Sequence, residues 1–112
     1  MTAPDQGVRW SGRHAIVTMP DEIDLVNSGD LNEQLAAVIA QSPETVTVDM
    51  TATTFCDSAG ISVLARAHEL ATASGGELRI ALGHSPVARI IELVGLDQIV
   101  SVYPDVQHSL DG

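Results

Sequence analysis

Apolar and polar positions alternate with a period of two along several short stretches of the chain, as they do in β-strands. The first two stretches, residues 8–10 and 14–19, flank the turn Ser11-Gly12 and predict a hairpin. Further strands are predicted at residues 45–50, 77–82 and 99–103. Pro20 and Pro104 follow two of these runs, where a residue without an N–H ends a strand.

Between the predicted strands, apolar residues recur three and four positions apart, which is typical of the buried face of an α-helix. The three predicted faces are Leu31, Leu35, Val38 and Ile39; Ile61, Leu64, Ala65 and His68; and Val87, Ile90, Ile91 and Val94. Asp24, Ser28 and Asp30 are alternative caps of the first helix, and Gly75-Gly76 ends the second, which spans about residues 59–74.

The predicted element order is β-β-α-β-α-β-α-β, with a further helix predicted after Asp105. Strands and helices alternate after the hairpin, so right-handed crossovers and a mainly parallel sheet of four to five strands are expected. The fold class is therefore α/β, with helices packed on the sheet. All 112 residues are expected to form a single domain whose core spans about residues 8–110.

Charge and composition exclude several functions. The chain has no lysine, five arginines and 15 carboxylates, which gives a net charge of −10. Such a charge disfavours binding to nucleic acid or to anionic membranes. Cys56 is the only cysteine, and the four histidines lack metal-ligand spacing, so neither a disulfide nor a metal or other cofactor is expected. Without an apolar signal segment or an apolar run of membrane-spanning length, the expected location is the cytoplasm.

The candidate functional residues are concentrated at the junction between the third predicted strand and the second predicted helix. Asp57 and Ser58 are both good N-cap residues at this junction, so Ser58 is expected at a helix N-terminus. Strand C-terminal ends meet at one edge of an α/β sheet, and that edge carries the sites of such proteins. Asp21-Glu22-Ile23-Asp24 follows the second strand, and we predict that it lies beside the loop 51–58.

These two loops, with other motifs in matching order, resemble the STAS-domain anti-sigma factor antagonists. The matching motifs are Asp21-Glu22-Ile23-Asp24, Asp49, Phe55-Cys56-Asp57-Ser58-Ala59-Gly60-Ile61, Gly75-Gly76 and Gly95-Leu96. The match covers roughly residues 8–110, and it implies a STAS-like fold. Two positions depart from the family pattern: Asp21 stands where glycine is usual, and Cys56 replaces an aliphatic residue.

The resemblance implies a switchable binding protein rather than an enzyme. The partner would be an anti-sigma factor that is also a serine kinase, and Ser58 would be the residue that it phosphorylates. The unphosphorylated form would bind this kinase and release a sigma factor, and a phosphatase would restore binding after phosphorylation. Asp24 and Asp57 would line the acceptor site, and Gly60 would admit the partner backbone. The expected contact surface is Asp21, Glu22, Asp24, Asp57, Ser58, Ala59, Gly60 and Ser62.

Several alternatives remain open from the sequence. Residues 56–60 overlap a nucleophile-elbow motif, and Asp97 and His108 follow Ser58 in hydrolase order, although the first glycine of the motif is missing. A phosphoacceptor receiver domain would use a lysine, which the chain lacks. A STAS module with another partner, in a stressosome or a transport system, is the main alternative. Cys56 is interpreted as a small buried residue, with a thiol sensor as the sharper hypothesis, and Ser62 as a surface residue open to secondary phosphorylation.

Overall fold

The computed structural model describes residues 7–112, which form an α/β structure. The strands are β1 (Val8–Ser11), β2 (His14–Thr18), β3 (Glu22–Ile23), β4 (Thr45–Asp49), β5 (Phe55–Cys56), β6 (Glu77–Ala81) and β7 (Ser101–Tyr103). The helices are α1 (Ser28–Ile39), α2 (Ser58–Ala73), α3 (Val87–Leu93) and α4 (Val106–Asp111), with a 3₁₀ helix at Leu96–Gln98.

Five strands form the main sheet, in the order β1-β2-β4-β6-β7. β1 and β2 are the antiparallel hairpin, and the other neighbouring pairs are parallel. The predicted α/β class, with a mainly parallel sheet and an N-terminal hairpin, is therefore confirmed. Each new parallel strand is added on the same side of the previous one, so right-handed crossovers place α1, α2 and α3 on one face.

The hydrophobic core lies between that face of the sheet and the three helices. Val46 and Val48 of β4 are buried there beside Leu78 and Ile80 of β6, as their alternation predicts. The predicted apolar face of α1 is confirmed, because the structure buries Leu31, Leu35, Val38 and Ile39. The core also includes Met50, the residue from which the chain leaves the sheet toward Ser58.

The helix predicted after Asp105 is present as α4, and it packs on the opposite face of the sheet. Thr47 alternates with the core residues of β4, and its hydroxyl lies 2.6 Å from the hydroxyl of Ser109 in α4. Arg79 of β6 donates from Nη1 to the Ser109 carbonyl and lies 5.6 Å from the centre of the Tyr103 ring. α4 is thus held to the sheet by a buried polar cluster.

The structure also contains elements that the sequence did not predict. β3 and β5, of two residues each, form a separate small parallel sheet. The last strand begins at Ser101, so the prediction of a strand from Ile99 is wrong at its start. The 3₁₀ helix extends to Gln98, and the Ile99 and Val100 N–H groups donate to the Leu96 carbonyl, which keeps both residues out of the sheet.

The predicted buried faces of the second and third helices need correction. α2 buries Gly60, Val63, Leu64, Ala67 and Ala71, whereas Ile61, Ala65 and His68 are half-buried. Three of the five buried residues, Gly60, Ala67 and Ala71, are small, and such residues are easily overlooked in an apolar pattern. In α3, Val87 and Ile91 are buried, whereas Ile90 is half-buried and Val94, which follows the last helical residue, is exposed.

Candidate functional site

The small β3–β5 sheet joins the two acidic loops that the sequence singled out. Glu22 lies opposite Phe55, and Ile23 lies opposite Cys56. The pairing continues at both ends, since the Thr54 N–H donates to the Asp21 carbonyl at 2.8 Å and the Asp57 N–H donates to the Ile23 carbonyl at 3.1 Å. The prediction that these loops are neighbours is therefore confirmed.

Ser58 lies at the first position of α2, with an exposed side chain. The preceding residue, Asp57, is extended and caps the helix, because its Oδ1 accepts a hydrogen bond of 3.1 Å from the Gly60 N–H. The sequence left Asp57 and Ser58 as alternative caps, and the structure assigns this role to Asp57. The Ser58 hydroxyl is consequently not the capping group, and it faces solvent at the positive end of a 16-residue helix.

Asp24 organises the loop that follows β3, and it is half-buried. Its Oδ1 accepts from the Val26 N–H at 3.0 Å and from the Asn27 N–H at 3.3 Å. In return, Asn27 Oδ1 accepts from the Asp24 N–H at 3.0 Å, and Asn27 Nδ2 donates to the Glu22 carbonyl at 2.7 Å. These four hydrogen bonds give the loop a defined conformation.

None of the three caps predicted for α1 is its N-cap. Asn27 occupies this position, without a side-chain capping bond, and α1 begins at Ser28 with Asp30 in its first turn. Asp24 lies farther upstream, where its side chain stabilises the preceding turn. Its carbonyl also accepts from the Ser28 N–H at 2.9 Å, which leads the chain into the helix.

Asp21, which stands in place of the family glycine, is accommodated without disturbing the small sheet. Its side chain is exposed, and its Oδ1 accepts a hydrogen bond of 2.8 Å from the Thr54 hydroxyl. Glu22 is exposed as well. The departure at residue 21 therefore adds a carboxylate to the surface beside β3 and a further link between the two loops.

Gly60 packs inside the protein, so the expectation that it admits a partner backbone is wrong. A Cβ at Gly60 would lie 2.8 Å from Ile23 Cγ2 and would collide with Cys56 Sγ. The glycine is thus needed for α2 to approach the small sheet. Of its neighbours in the predicted contact surface, Ala59 is half-buried and Ser62 is exposed one turn beyond Ser58.

Cys56 is buried, as the simpler interpretation of this residue predicted. Burial, and to a smaller extent the negative charge of Asp57, raises the pKa of the Cys56 thiol from 9.0 to about 11. A thiol sensor requires an accessible thiolate, because the thiolate is the reactive form. The environment of Cys56 is opposite to that of a reactive cysteine, so the structure disfavours the sensor hypothesis.

Three exposed apolar side chains near Ser58 were missed by the sequence analysis. Leu25 is 77% exposed, Val26 is 91% exposed and Phe55 is 48% exposed. Leu25 and Val26 lie in the turn held by Asp24, and Phe55 lies in β5. Apolar side chains are usually expected to be buried. These three belong to no periodic apolar face of a predicted helix or strand, and this lack of periodicity could have identified them as exposed.

The hydrolase alternative is contradicted by the positions of its proposed partners. His108 belongs to α4, on the sheet face opposite α2, and its Nδ1 lies 2.8 Å from Asp105 Oδ1. Asp97 lies in the 3₁₀ helix after α3. Ser58 therefore has no adjacent base from this set.

Among residues 7–112, no three His, Cys, Asp or Glu side chains are grouped so that they could hold a metal ion. Over the same range, the structure contains no helix with the length and apolar character needed to cross a membrane.

Comparison with known proteins agrees with the motifs around Ser58. The sequence model of the STAS domain family matches residues 8–109. The chain belongs to the STAS domain family. It is 30% identical over 115 residues to the anti-sigma-F factor antagonist RsfB of Mycobacterium tuberculosis, a match covering 100% of this chain and 93% of that protein.

Solved structures of STAS proteins share the fold. An anti-sigma factor antagonist from Mycobacterium paratuberculosis superimposes with a TM-score of 0.86 at 29% identity, covering 99% of this chain and 97% of the other. The phosphorylated form of the Bacillus protein SpoIIAA gives a TM-score of 0.68 at 18% identity, with 93% and 95% of the two chains covered. The latter similarity shows the fold alone.

Proposed function

We propose that this STAS protein is an anti-sigma factor antagonist switched by phosphorylation of Ser58. In its unphosphorylated form it binds an anti-sigma factor that is also a serine kinase, and this binding releases a sigma factor. The observation that carries the proposal is the exposed Ser58 hydroxyl at the start of α2, beside the loops of Asp24 and Asp57. The relatives named as anti-sigma factor antagonists support the same function.

The surroundings of Ser58 suit a residue that accepts a phosphoryl group. Because Asp57 caps α2, the Ser58 oxygen is free to attack the γ-phosphorus of ATP held by the kinase. The new bond from the Ser58 oxygen to phosphorus forms as the bond between the γ-phosphorus and the β,γ-bridging oxygen breaks, so that ADP leaves and the hydroxyl proton passes to a base of the kinase. The fold should tolerate the product, since the N-terminus of a helix favours an anion. Phosphorylation is therefore expected to change the surface rather than to unfold the domain.

The new charge should prevent binding by repulsion and by its cost of desolvation. A phosphate adds about 1.5 to 2 negative charges. Asp57 directly precedes Ser58, and the loop of Asp24 is joined to it through the Ile23 carbonyl. A partner that covers these carboxylates would also have to desolvate the phosphate. A loss of about 3 kcal/mol would weaken binding more than a hundredfold.

In this proposal the chain acts as one interaction domain without catalysing a reaction. The contact surface is the start of α2, the Asp21–Asp24 segment and the exposed side of α2, including Ser62. The expected location is the cytoplasm, where sigma factors act, and a phosphatase would return the protein to its binding form. The net charge of −10 supports a protein partner rather than nucleic acid.

The test uses the purified protein and the serine-kinase anti-sigma factors of its own organism. With Mg-ATP, one of these kinases should add a single phosphoryl group at Ser58, mapped by mass spectrometry, and Ser58→Ala should remain unmodified. Ser58→Ala should bind this kinase, whereas Ser58→Glu should bind it at least tenfold more weakly. Modification of another residue, or equal binding by Ser58→Glu, would contradict the proposal. Capture of a stressosome or transport component instead would favour the alternative STAS module.

A further inference from the structure

Two of the most exposed apolar side chains of the described chain lie in one rigid turn beside the Ser58 site. Leu25 and Val26 are 77% and 91% exposed, so the fold itself gains little from their apolar character. The turn that carries them is fixed by the hydrogen bonds of Asp24 to the Val26 and Asn27 N–H groups. A fixed turn loses little conformational entropy on binding, which favours its use as a contact surface.

A backbone hydrogen bond connects the segment that carries this turn to the residue before Ser58. The Ile23 carbonyl accepts from the N–H of Asp57, the residue before Ser58, and Leu25 follows Ile23 by two positions. The third exposed apolar residue, Phe55, lies opposite Glu22 in the same small sheet. The three apolar side chains and the proposed phosphorylation site are therefore carried by the small β3–β5 sheet and the residues that directly follow its strands.

We infer that Leu25, Val26 and Phe55 are the apolar anchors of the partner interface, a conclusion that rests on the proposed function of Ser58. The surface that they contact is an apolar pocket rimmed by arginine or lysine side chains on the anti-sigma factor kinase. A few side chains that become fully buried near the centre of an interface carry most of its binding energy, while charge complementarity around them contributes specificity and association rate. The anchors thus provide affinity, and Ser58 provides the switch.

The basic rim of the partner pocket follows from the charges around the anchors. Asp21 and Glu22 are exposed, and Asp24 and Asp57 are half-buried, with no lysine or arginine in either loop. A second copy of this chain would bring the same carboxylates together, and an anionic lipid surface would be repelled by them. A basic protein surface is the occupant whose charge complements all four groups.

The test compares two double variants of the full chain for binding to the purified anti-sigma factor kinase. Leu25→Ser with Val26→Ser removes two anchors, and the affinity should fall about tenfold or more, by the usual cost of truncating anchor residues. The matched control is Leu93→Ser with Ile99→Ser, which changes side chains that are 73% and 59% exposed, at the last residue of α3 and directly after the 3₁₀ helix. The control should bind like the wild type, and both variants should retain the wild-type thermal unfolding midpoint.

A second pair of variants tests the charge of the rim. Asp21→Asn with Glu22→Gln should slow association and weaken its dependence on salt, because steering by charge acts on the association rate. Glu92→Gln with Asp97→Asn makes the same change in net charge elsewhere on the exposed surface and should have less effect.

The outcomes separate this inference from the proposed function. If the wild type binds no anti-sigma factor kinase, both are wrong. If the wild type binds but the Leu25→Ser, Val26→Ser variant binds equally well, only the anchor assignment is wrong. A salt dependence unchanged by the Asp21→Asn, Glu22→Gln pair would overturn the basic rim.

Discussion

The Cβ position of Gly60 points at Ile23, so that an added methyl group would lie 2.8 Å from Ile23 Cγ2. Gly60 belongs to the first turn of α2, and Ile23 belongs to the small β3–β5 sheet. The contact fixes the start of α2 against the sheet that joins the two acidic loops. The position of Ser58 thus depends on the absence of a side chain at Gly60, two residues later in α2.

Substitution of Gly60 by alanine should destabilise the fold. Alanine is normally favoured over glycine in a helix, but here its methyl group would overlap Ile23 and Cys56. Overpacking of this kind lowers the free energy of unfolding by about 1–3 kcal/mol. Urea denaturation of Gly60→Ala measures the change.

Gly29→Ala is the matched control, because Gly29 is also in a helix and has nothing within 4 Å of its Cβ position. That variant should gain about 0.5–1 kcal/mol from helix propensity. An increase in stability for Gly60→Ala, similar to that of the control, would show that α2 can move away from the small sheet at no cost.

The division of roles between Asp57 and Ser58 gives a second prediction. Asp57→Ala removes the acceptor of the Gly60 N–H and should lower the free energy of unfolding by about 1 kcal/mol. Asp57→Asn retains a capping oxygen and should lose much less. Ser58→Ala changes an exposed side chain outside the cap and should stay within about 0.5 kcal/mol of wild type.

Denaturation of these three variants under one set of conditions checks the assignment. A loss for Ser58→Ala as large as that for Asp57→Ala would mean that the serine is itself a structural residue. With the expected result, a change in partner binding by Ser58→Ala or Ser58→Glu can be attributed to the binding surface and not to folding.

The architecture was predictable because its longer elements have strong periodicity. Val46 and Val48 alternate with Thr45 and Thr47 in β4. The structure buries all four residues, because both faces of the sheet are covered there. The period of two indicated a strand, but it did not reveal that the threonine face is also covered. That face is covered by α4, whose six residues carry too little pattern to indicate how they dock.

The site was predictable in position but not in detail. Acidic loops at strand ends were correctly expected to meet, since the C-terminal ends of parallel strands share an edge. The β3–β5 pairing was missed because two residues per strand show no period. The role of Gly60 depends on a tertiary contact with Ile23, which no local pattern encodes. The exposure of Leu25 was missed because a leucine is usually expected to be buried. In the structure, the turn that carries Leu25 leaves its side chain exposed.

Titration of Cys56 should make the stability of the protein fall as the pH rises above about 9. The pKa of its thiol is raised from 9.0 to about 11 in the folded state, mainly by burial. As the pH rises past the lower value, the unfolded chain releases this proton while the folded protein keeps it. The folded state therefore loses relative stability, by about 2–3 kcal/mol at a pH near 11.

Comparison with Cys56→Ala isolates this contribution from other groups that titrate in alkali. The free energies of unfolding of both proteins should be measured by denaturant titration at several values between about pH 8 and about pH 11. The gap between wild type and variant should narrow or reverse as the pH rises. Parallel pH profiles for the two proteins would mean that Cys56 is ionised as easily in the folded state as in the unfolded chain.

The hydroxyl pair Thr47–Ser109 should be an important contact between α4 and the sheet. The two oxygens lie 2.6 Å apart, and both residues are fully buried. Ser109→Ala should lower the free energy of unfolding by about 1–3 kcal/mol, because it leaves the Thr47 hydroxyl buried without this partner. Adding Thr47→Val removes the unpaired hydroxyl and should restore part of the loss. Denaturation of both single variants and the double variant gives the coupling energy, and strictly additive losses would mean that the two hydroxyls do not depend on each other.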